Sequence, residues 1–555
     1  MNYNSYSFWL LFGLLYLVYW RANHRWQNRL LLGASYIFYG AWDYRFLFLI
    51  LVSTVIDYLG GLGVAGVRLP RAKLRWLGLL IVGSALVLCS NVRYPALLGA
   101  LVHGDGAGAA AALPHRLRDF LIPLGTAAVA LIYGFVLPSL YAAPELRRRK
   151  VFLTISMVAN LAILGFFKYC DFFISSMVAL LHAVGLTGVS WQTLGLILPA
   201  GISFYTFQAM SYTIDIYRGD AQPTENFPDF ALFVCFFPHL VAGPIMRAHT
   251  LLPQVVNARP DPRGTPAMRE GLALVVIGLF KKLFIADNMA PVANAVFFPF
   301  FDGRAADITG PQVLLGIYAF AFQIYGDFSG YSAIARGISK WLGFELVQNF
   351  RLPYLAVSPS DFWTRWHISL SSWLRDYLYI PLGGNRHGVR IQYRNLVITM
   401  LLGGLWHGAS FTFVAWGLYH GAILCAFRLL RIPDRVPTET PRDRVRWLIR
   451  VIVMFHLTCA GWLLFRADTF GAAYAMAARI VTDFHVTSAV AAPLVQIVFY
   501  GFIPFLAECA IDGEKRLDRF VNAPWVLRSA AYAYMILAIL IFHSGQANEF
   551  IYFQF

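Results

Sequence analysis

Long apolar runs, broken by short polar stretches, recur along the whole chain. A membrane-crossing helix needs about 20 mainly apolar residues. Runs of this kind lie near 5–20, 30–42, 46–66, 76–99, 119–141, 151–182, 193–213, 229–246, 271–298, 311–335, 395–427, 447–465, 489–509 and 524–543. The pattern predicts an all-α polytopic membrane protein with about 11 to 14 transmembrane or re-entrant helices.

The polar stretches carry direction. R-A-N-H-R-W-Q-N-R follows the first run, R-L-P-R-A-K-L-R spans 68–75 and R-R-R-K spans 147–150, while the stretches near Asp43 and across 100–118 are less basic. Basic loops stay on the cytoplasmic side, so the alternation predicts an N-terminus on the outer, periplasmic side. Residues 428–450, with seven basic residues against three acidic, fall on the cytoplasmic side. G-D-G-A-G-A-A-A-A-L-P at 104–114 predicts a mobile outer loop. The chain has no internal repeat, and an inverted-repeat transporter gains no support.

Composition agrees and removes other classes. The 555 residues are 58% hydrophobic and 13% charged, against about 25% charged in soluble domains. The net charge of +16 resides in short loops between apolar runs, so it reads as topology and not as a nucleic-acid surface. Cys89, Cys170, Cys235, Cys425, Cys459 and Cys509 are scattered through apolar stretches with no CxxC pair, which indicates neither a disulfide framework nor a metal site. The first run is followed directly by Arg21 and further spans and reads as a retained helix, not a removed leader.

Candidate chemistry concentrates between Ser358 and Gly421. Ser358, Pro359 and Asp361 form a helix-start pattern, predicting a helix over 358–380 that ends at Pro381 and Gly383-Gly384. Trp363, Trp366, His367, Leu370, Leu374, Tyr377 and Leu378 fall on one side of it; Thr364, Arg365, Ser372, Arg375 and Asp376 lie elsewhere. Each charge at mid-bilayer costs about 2.5–3.5 kcal/mol, so this helix lies at the interface or dips into the protein. A surface anchor would explain all of it except His367. The next run, 395–427, carries His407 about 18 Å along a straight helix from Asn395, among Gly403, Gly404, Gly408 and Ala409. An ionisable residue at that depth is a functional candidate; the alternative is a histidine hydrogen-bonded between helices. His420, His456 and His543 lack the glycine setting and read as packing residues. Y-G-D-F-S-G-Y-S at 325–332 and F-P-H-L-V-A-G-P at 237–244 add polar groups to apolar runs. Asp327 there suits orienting a histidine, binding a hydroxyl or bonding two helices together.

A G-x-S-x-G elbow, a phosphate-binding G-x-x-x-x-G-K loop, an H-x-x-x-x-D pair and a D-x-D motif are all missing. What remains is histidine base chemistry in an apolar interior, an imidazole removing a proton from a hydroxyl as it attacks an ester or thioester.

W-T-R-W-H-I-S-L-S-S-W-L-R-D-Y-L-Y-I-P-L-G-G-N-R and N-L-V-I-T-M-L-L-G-G-L-W-H-G-A-S-F resemble blocks of the membrane-bound O-acyltransferases, in particular the bacterial alginate O-acetylase branch. So do G-I-S-F-Y-T-F-Q-A-M-S-Y-T-I-D-I-Y-R-G at 201–219, G-L-F-K-K-L-F-I-A-D-N at 278–288, Q-I-Y-G-D-F-S-G-Y-S and the ending F-I-Y-F-Q-F. The resemblance implies one domain over 1–555: N-terminal helices 1–220, a catalytic core 221–427 and C-terminal helices 428–555, arranged as a bowl around a tunnel. It implies that His407 is the essential membrane-embedded histidine and His367 the second motif histidine, toward the cytoplasmic entrance. It implies acetyl-CoA as donor substrate, no bound cofactor and no metal. Arg365, Arg375, Arg386, Arg390 and Arg394 are expected to attract the donor's phosphates. Asp327, Ser329, Trp366, Arg375, Asp376, Asn385 and Arg386 are the substrate-binding candidates. The expected setting is the bacterial inner membrane, with lipid around the protein, no nucleic acid, and an exported polysaccharide such as alginate as acceptor. Acetyl would reach it directly or through a periplasmic esterase-like partner. D-alanyl or acetyl transfer to a cell-wall polymer, and glycan or lipid transport without catalysis, are the alternatives. Thr364 stands where an arginine is common, and 104–114 looks like an addition.

Overall fold

A computed structural model describes residues 3–241, 243–511, 517–544 and 550–551. Ala242 of the 237–244 motif and 552–555 of the closing motif lie outside the described residues. The described residues are mostly helical and contain no strand. Among the described residues, seven helical stretches are long and apolar enough to cross a membrane, from His24–Ala65 to Ser488–Ala510, and Tyr6–Tyr19, Phe227–Leu240 and Trp525–Ile541 are shorter apolar helices.

Inside this shell lies a group of helices too polar to face lipid. Pro266–Phe280 continues through a π-helical turn, Lys281–Ala286, into Asp287–Phe301, and Gly310–Trp341 packs along it. The two backbones nearly touch at Gly278 and Gly330, where an added methyl on Gly278 would lie 2.7 Å from the facing carbonyl oxygen. Small residues permit such crossings without lipid between. The charges of this layer pair with one another. Lys282 lies 2.9 Å from Asp287 and 2.9 Å from Asp327. The other oxygen of Asp327 accepts the N–H of Ile551 at 2.7 Å, which draws the C-terminal Phe550 and Ile551 into the core.

The polar stretches near 21–29, 68–75, 147–150 and 375–388 are each tied to neighbouring segments by arginine hydrogen bonds. Arg259 donates to Asn28, Arg68 to the carbonyl of Tyr141, Arg149 to that of Tyr217, and Arg218 to that of Asp376.

Several boundaries differ from the periodicity. Residues 104–114, expected as a mobile loop, contain the helix Gly106–Ala112, because alanine is the best helix former and Asp105 caps it by accepting from Gly108 N–H at 2.9 Å. The run 193–213 becomes helical only at Ile202. Before that, Asp171 holds the chain extended by accepting from the N–H groups of Leu194 and Leu196 at 2.7 and 3.0 Å. The run 229–246 breaks at Phe236, ahead of Pro238.

Candidate active site

The two key stretches also fold differently from their periodicity, and the differences build the site. Ser358 and Pro359 start a helix as expected, with Ser358 Oγ accepting from Asp361 N–H at 3.0 Å, but it stops at Trp363. A second helix, Ile368–Leu374, starts just after His367 and widens into a π-helical turn, Arg375–Tyr379. Between them His367 takes a left-handed backbone conformation, φ 41° and ψ 55°. That conformation costs a non-glycine residue about 1–2 kcal/mol, and hydrogen bonds on both sides impose it. Arg351 N–H donates to the carbonyl of Arg365 at 2.9 Å, and Ile368 N–H to that of Asn349 at 3.0 Å. Asn349 Oδ1 accepts from Ser369 N–H at 3.2 Å, and Ser369 Oγ from Ile245 N–H at 3.0 Å. The single amphipathic helix is therefore a broken one, and the break turns His367 inward.

The run 395–427 is likewise two helices, Val389–His407 and Phe411–Leu429, forming a hairpin whose tip carries His407. Asn395 pins the first helix by donating to the carbonyls of Leu382 and Gly384 at 3.1 and 3.0 Å. The hairpin closes backbone to backbone: a methyl on Gly404 would collide with the carbonyl of Phe413, and one on Gly417 with that of Met400. The sequence signal of clustered glycines thus marks the close approach of a partner helix, and that partner is the next segment of the chain.

These two folds bring the histidines together. Their ring centres are 6.5 Å apart, too far for a direct hydrogen bond and near enough for one small group to touch both. His367 is 0% and His407 4% exposed, so His367 is as deeply enclosed as His407 and does not stand at an entrance. Aromatic rings form the walls. Phe328 meets His367 edge-on at 4.6 Å, while Trp406 and Trp416 each lie 5.0 Å and Phe465 5.4 Å from His407. Among the described residues, neither ring nitrogen of His367 has a hydrogen-bond partner, nor do the indole nitrogens of Trp406 and Trp416 or Nδ1 of His420. Buried polar atoms are normally paired. A cluster of unpaired ones enclosed by aromatic rings, the histidine chamber, is suited to meet a polar ligand. His420, expected as a packing residue, is 4.6 Å from Trp416 and belongs to this chamber wall. His456 bonds Tyr318 Oη at 2.8 Å, as a packing residue would.

The other sequence candidates scatter. Asp327 is spent on Lys282 and Ile551 N–H and makes no hydrogen bond to His367. Ser329 lines a separate, mostly apolar cavity of about 290 Å³ with Lys281, Arg336 and Asn349. Trp366 is packed against Trp462 and Phe350, at 4.8 and 5.0 Å, as part of the core beneath His367. Arg375 and Arg247 both bond Asp376, at 2.7 and 2.6 Å. Asn385, Arg386, Arg390 and Arg394 are exposed, away from the chamber. Of the expected phosphate-attracting arginines, Arg365 alone lines a large cavity, about 1020 Å³, together with Arg351, Arg435 and Trp447. The backbone crossing of Arg351 and Arg365 that forms one wall of this cavity is the one that holds His367.

Sequence reasoning passed over Lys168. It lies on Glu145–Ala183 and donates to the carbonyls of Trp406 and His407. Its only signal is a solitary cation in the apolar run F-F-K-Y.

Comparison with known proteins follows the same geometry. The sequence model of the membrane-bound O-acyltransferase family matches residues 224–467, which include both histidines. A probable alginate O-acetylase of Azotobacter vinelandii is 34% identical over 100% of both chains. The chain belongs to the membrane-bound O-acyltransferase family. It is an O-acyltransferase and a multi-pass membrane protein. A peptidoglycan O-acetyltransferase of Helicobacter pylori is 37% identical over 62% of this chain and 67% of its own. A teichoic acid D-alanyltransferase of Bacillus subtilis is 24% identical over 49% of this chain and 69% of its own.

Proposed function

We propose that this O-acyltransferase moves acetyl groups from acetyl-CoA, on the cytoplasmic side of a bacterial inner membrane, toward a hydroxyl of an exported polysaccharide such as alginate. The observation that carries the reading is the meeting of His367 and His407, ring centres 6.5 Å apart, among packed aromatic rings where the nitrogens of His367, Trp406 and Trp416 have no hydrogen-bond partner among the described residues. In this reading His407 removes the proton of the attacking hydroxyl, and His367 holds the acyl carbonyl or the acceptor oxygen beside it. The new C–O bond forms as the C–S bond of the thioester breaks. The thiolate leaves toward the donor side and takes up a proton there.

The donor side is supported by charge. The cavity bearing Arg351 and Arg435, with Arg365 paired to Asp361 at 2.7 Å and Asp434 also on its wall, opens beside the backbone that positions His367, and arginines are suited to phosphate oxygens. It involves the basic 428–450 stretch, which topology assigns to the cytoplasm and which leaves the N-terminus periplasmic. Acetyl is favoured over D-alanyl by the likeness to the alginate and peptidoglycan O-acetylating relatives, which exceeds that to the D-alanyltransferase. Transfer proceeds to the polymer itself or through a periplasmic esterase-like partner.

The test is acetyl-CoA cleavage by purified protein together with acetate content of the polymer in cells. Wild type should release CoA, and His407→Ala should release none while remaining folded in detergent. Acetylation retained in His407→Ala would overturn the assignment.

A further inference from the structure

A helix that ends inside a membrane leaves its last four carbonyls without N–H partners, and no water is at hand to satisfy them. The same need arises where Val389–His407 ends buried away from water: its final residue is the histidine itself, 4% exposed, and the chain turns away at Gly408 in an extended conformation. The neighbouring Glu145–Ala183 helix supplies what is missing. Tyr169 Oη donates to the carbonyl of Leu405 at 2.8 Å. Lys168 Nζ donates to the carbonyl of Trp406, to that of His407 at 3.1 Å and to Ser203 Oγ at 3.3 Å. An ammonium has three protons, and all three are engaged. The cation also stands at the negative end of the helix dipole, where a positive charge is favoured, and 5.8 Å from the Trp406 ring centre. No carboxylate pairs with it among the described residues.

We propose that Lys168 is a positioning residue for His407. By gripping the two terminal carbonyls of this helix, it fixes the backbone from which the imidazole projects and so the line along which the ring meets the acceptor hydroxyl. With three donors committed, Lys168 does not take part in proton transfer. The inference rests on the reading of His407 as the base, and goes beyond it by naming what holds that base in register.

The experiment compares Lys168→Met, Lys168→Arg and His407→Ala by steady-state acetyl-CoA cleavage in detergent. Misplacing a reacting group by about 1 Å costs about 100-fold. Lys168→Met should therefore lower kcat by about that factor with KM for acetyl-CoA held within about threefold. Lys168→Arg keeps charge and donors and should recover most of the loss. A kcat for Lys168→Met within about threefold of wild type, or a rise in KM with kcat kept, would overturn the proposal. If Lys168→Met is not recovered folded, Lys168→Gln, which keeps an amide donor without the charge, takes its place with an expected kcat between wild type and His407→Ala. Full activity of Lys168→Gln would overturn the proposal equally. Activity retained in His407→Ala overturns the base assignment and this inference with it. An inactive His407→Ala beside a fully active Lys168→Met overturns this inference alone.

Discussion

Two of the buried polar clusters among the described apolar helices are built on opposite principles. The first surrounds Asp57. Its carboxylate accepts from Ser156 Oγ at 2.5 Å, Thr213 Oγ at 3.3 Å and Asn160 Nδ2 at 2.8 Å, and Asn160 Oδ1 accepts from Ser53 Oγ at 2.8 Å. Three helices, Leu47–Ala65, Glu145–Ala183 and Ile202–Arg218, meet there, and each side chain of the knot answers another. The second cluster surrounds the two histidines, where His367, Trp406 and Trp416 present ring nitrogens with no partner among the described residues. In a medium without water a matched cluster joins helices, whereas an unmatched one costs stability unless something else completes it. The contrast separates groups that hold the fold from groups that await a substrate.

Removing the proposed base, His407, is the sharpest way to probe the contrast. General acid–base catalysis contributes about 100- to 10,000-fold, and His407→Ala should lose at least that much acetyl-CoA cleavage. It should leave the thermal unfolding midpoint of the purified protein near that of wild type. A folded, active His407→Ala would place the chemistry outside the chamber.

The charged layer should answer in the opposite way. Lys282, Asp287 and Asp327 are 1–3% exposed at the side chain, and breaking one arm of such a buried pair costs about 3–5 kcal/mol. Asp327→Asn should lower the unfolding midpoint strongly and release the C-terminal Ile551. Any loss of activity should follow the loss of folded protein. An unchanged midpoint with lost turnover would return Asp327 to the chemistry.

The Asp57 knot should respond more mildly but in the same direction. Asp57→Ala removes the shared acceptor, but Ser156 Oγ already lies 3.1 Å from Thr213 Oγ1 and Asn160 Nδ2 donates to the carbonyl of Ser156 at 2.9 Å, which leaves about one buried group unmatched at about 1–3 kcal/mol. The midpoint should fall while kcat per folded molecule stays within about twofold. A kcat defect without destabilisation would show that the knot is coupled to the chamber.

These outcomes bear on what the sequence made legible. The helical membrane class follows from the spacing of apolar runs, and His367 and His407 stand out as the histidines set between tryptophans and glycines. Their meeting did not follow from periodicity. The backbone of His367 is reversed by bonds from Asn349 and Arg351, residues remote from any motif. The hairpin tip at His407 depends on Gly404 and Gly417 facing each other across a turn. A continuous apolar run from 395 to 427 conceals that turn, because both arms are apolar and the break consists of Gly408, Ala409 and Ser410 alone. Asp327 was legible as buried and polar, but not as the partner of Lys282 and the C-terminus, since that pairing spans 224 residues of sequence. The arginines illustrate the same limit. Arg375 lies near His367 in sequence, yet its guanidinium is turned to Asp376.

That last pair gives the smallest effect and the finest distinction, because it contrasts an ion pair at the molecular surface with the two buried clusters. Partial burial raises the Asp376 carboxyl, but the bonds from Arg375 and Arg247 outweigh it and hold the group below the ordinary value of 3.8. A group whose folded value is lowered stabilises the protein fully above its unfolded value and loses that contribution as pH falls through the folded one. The midpoint difference between wild type and Asp376→Asn should therefore be constant from pH 7 to about 5, shrink below about pH 4, and weaken with added salt. It should be smaller than the Asp57→Ala shift at every pH, as befits a partly exposed pair. Arg375 and Arg247 are committed to this carboxylate, whereas Arg351 and Arg435 face the large cavity. Asp376→Asn should accordingly leave KM for acetyl-CoA near wild type while Arg435→Gln raises it. Equal KM effects in the two variants would move the donor's phosphates to the Asp376 cluster and away from the cavity beside His367.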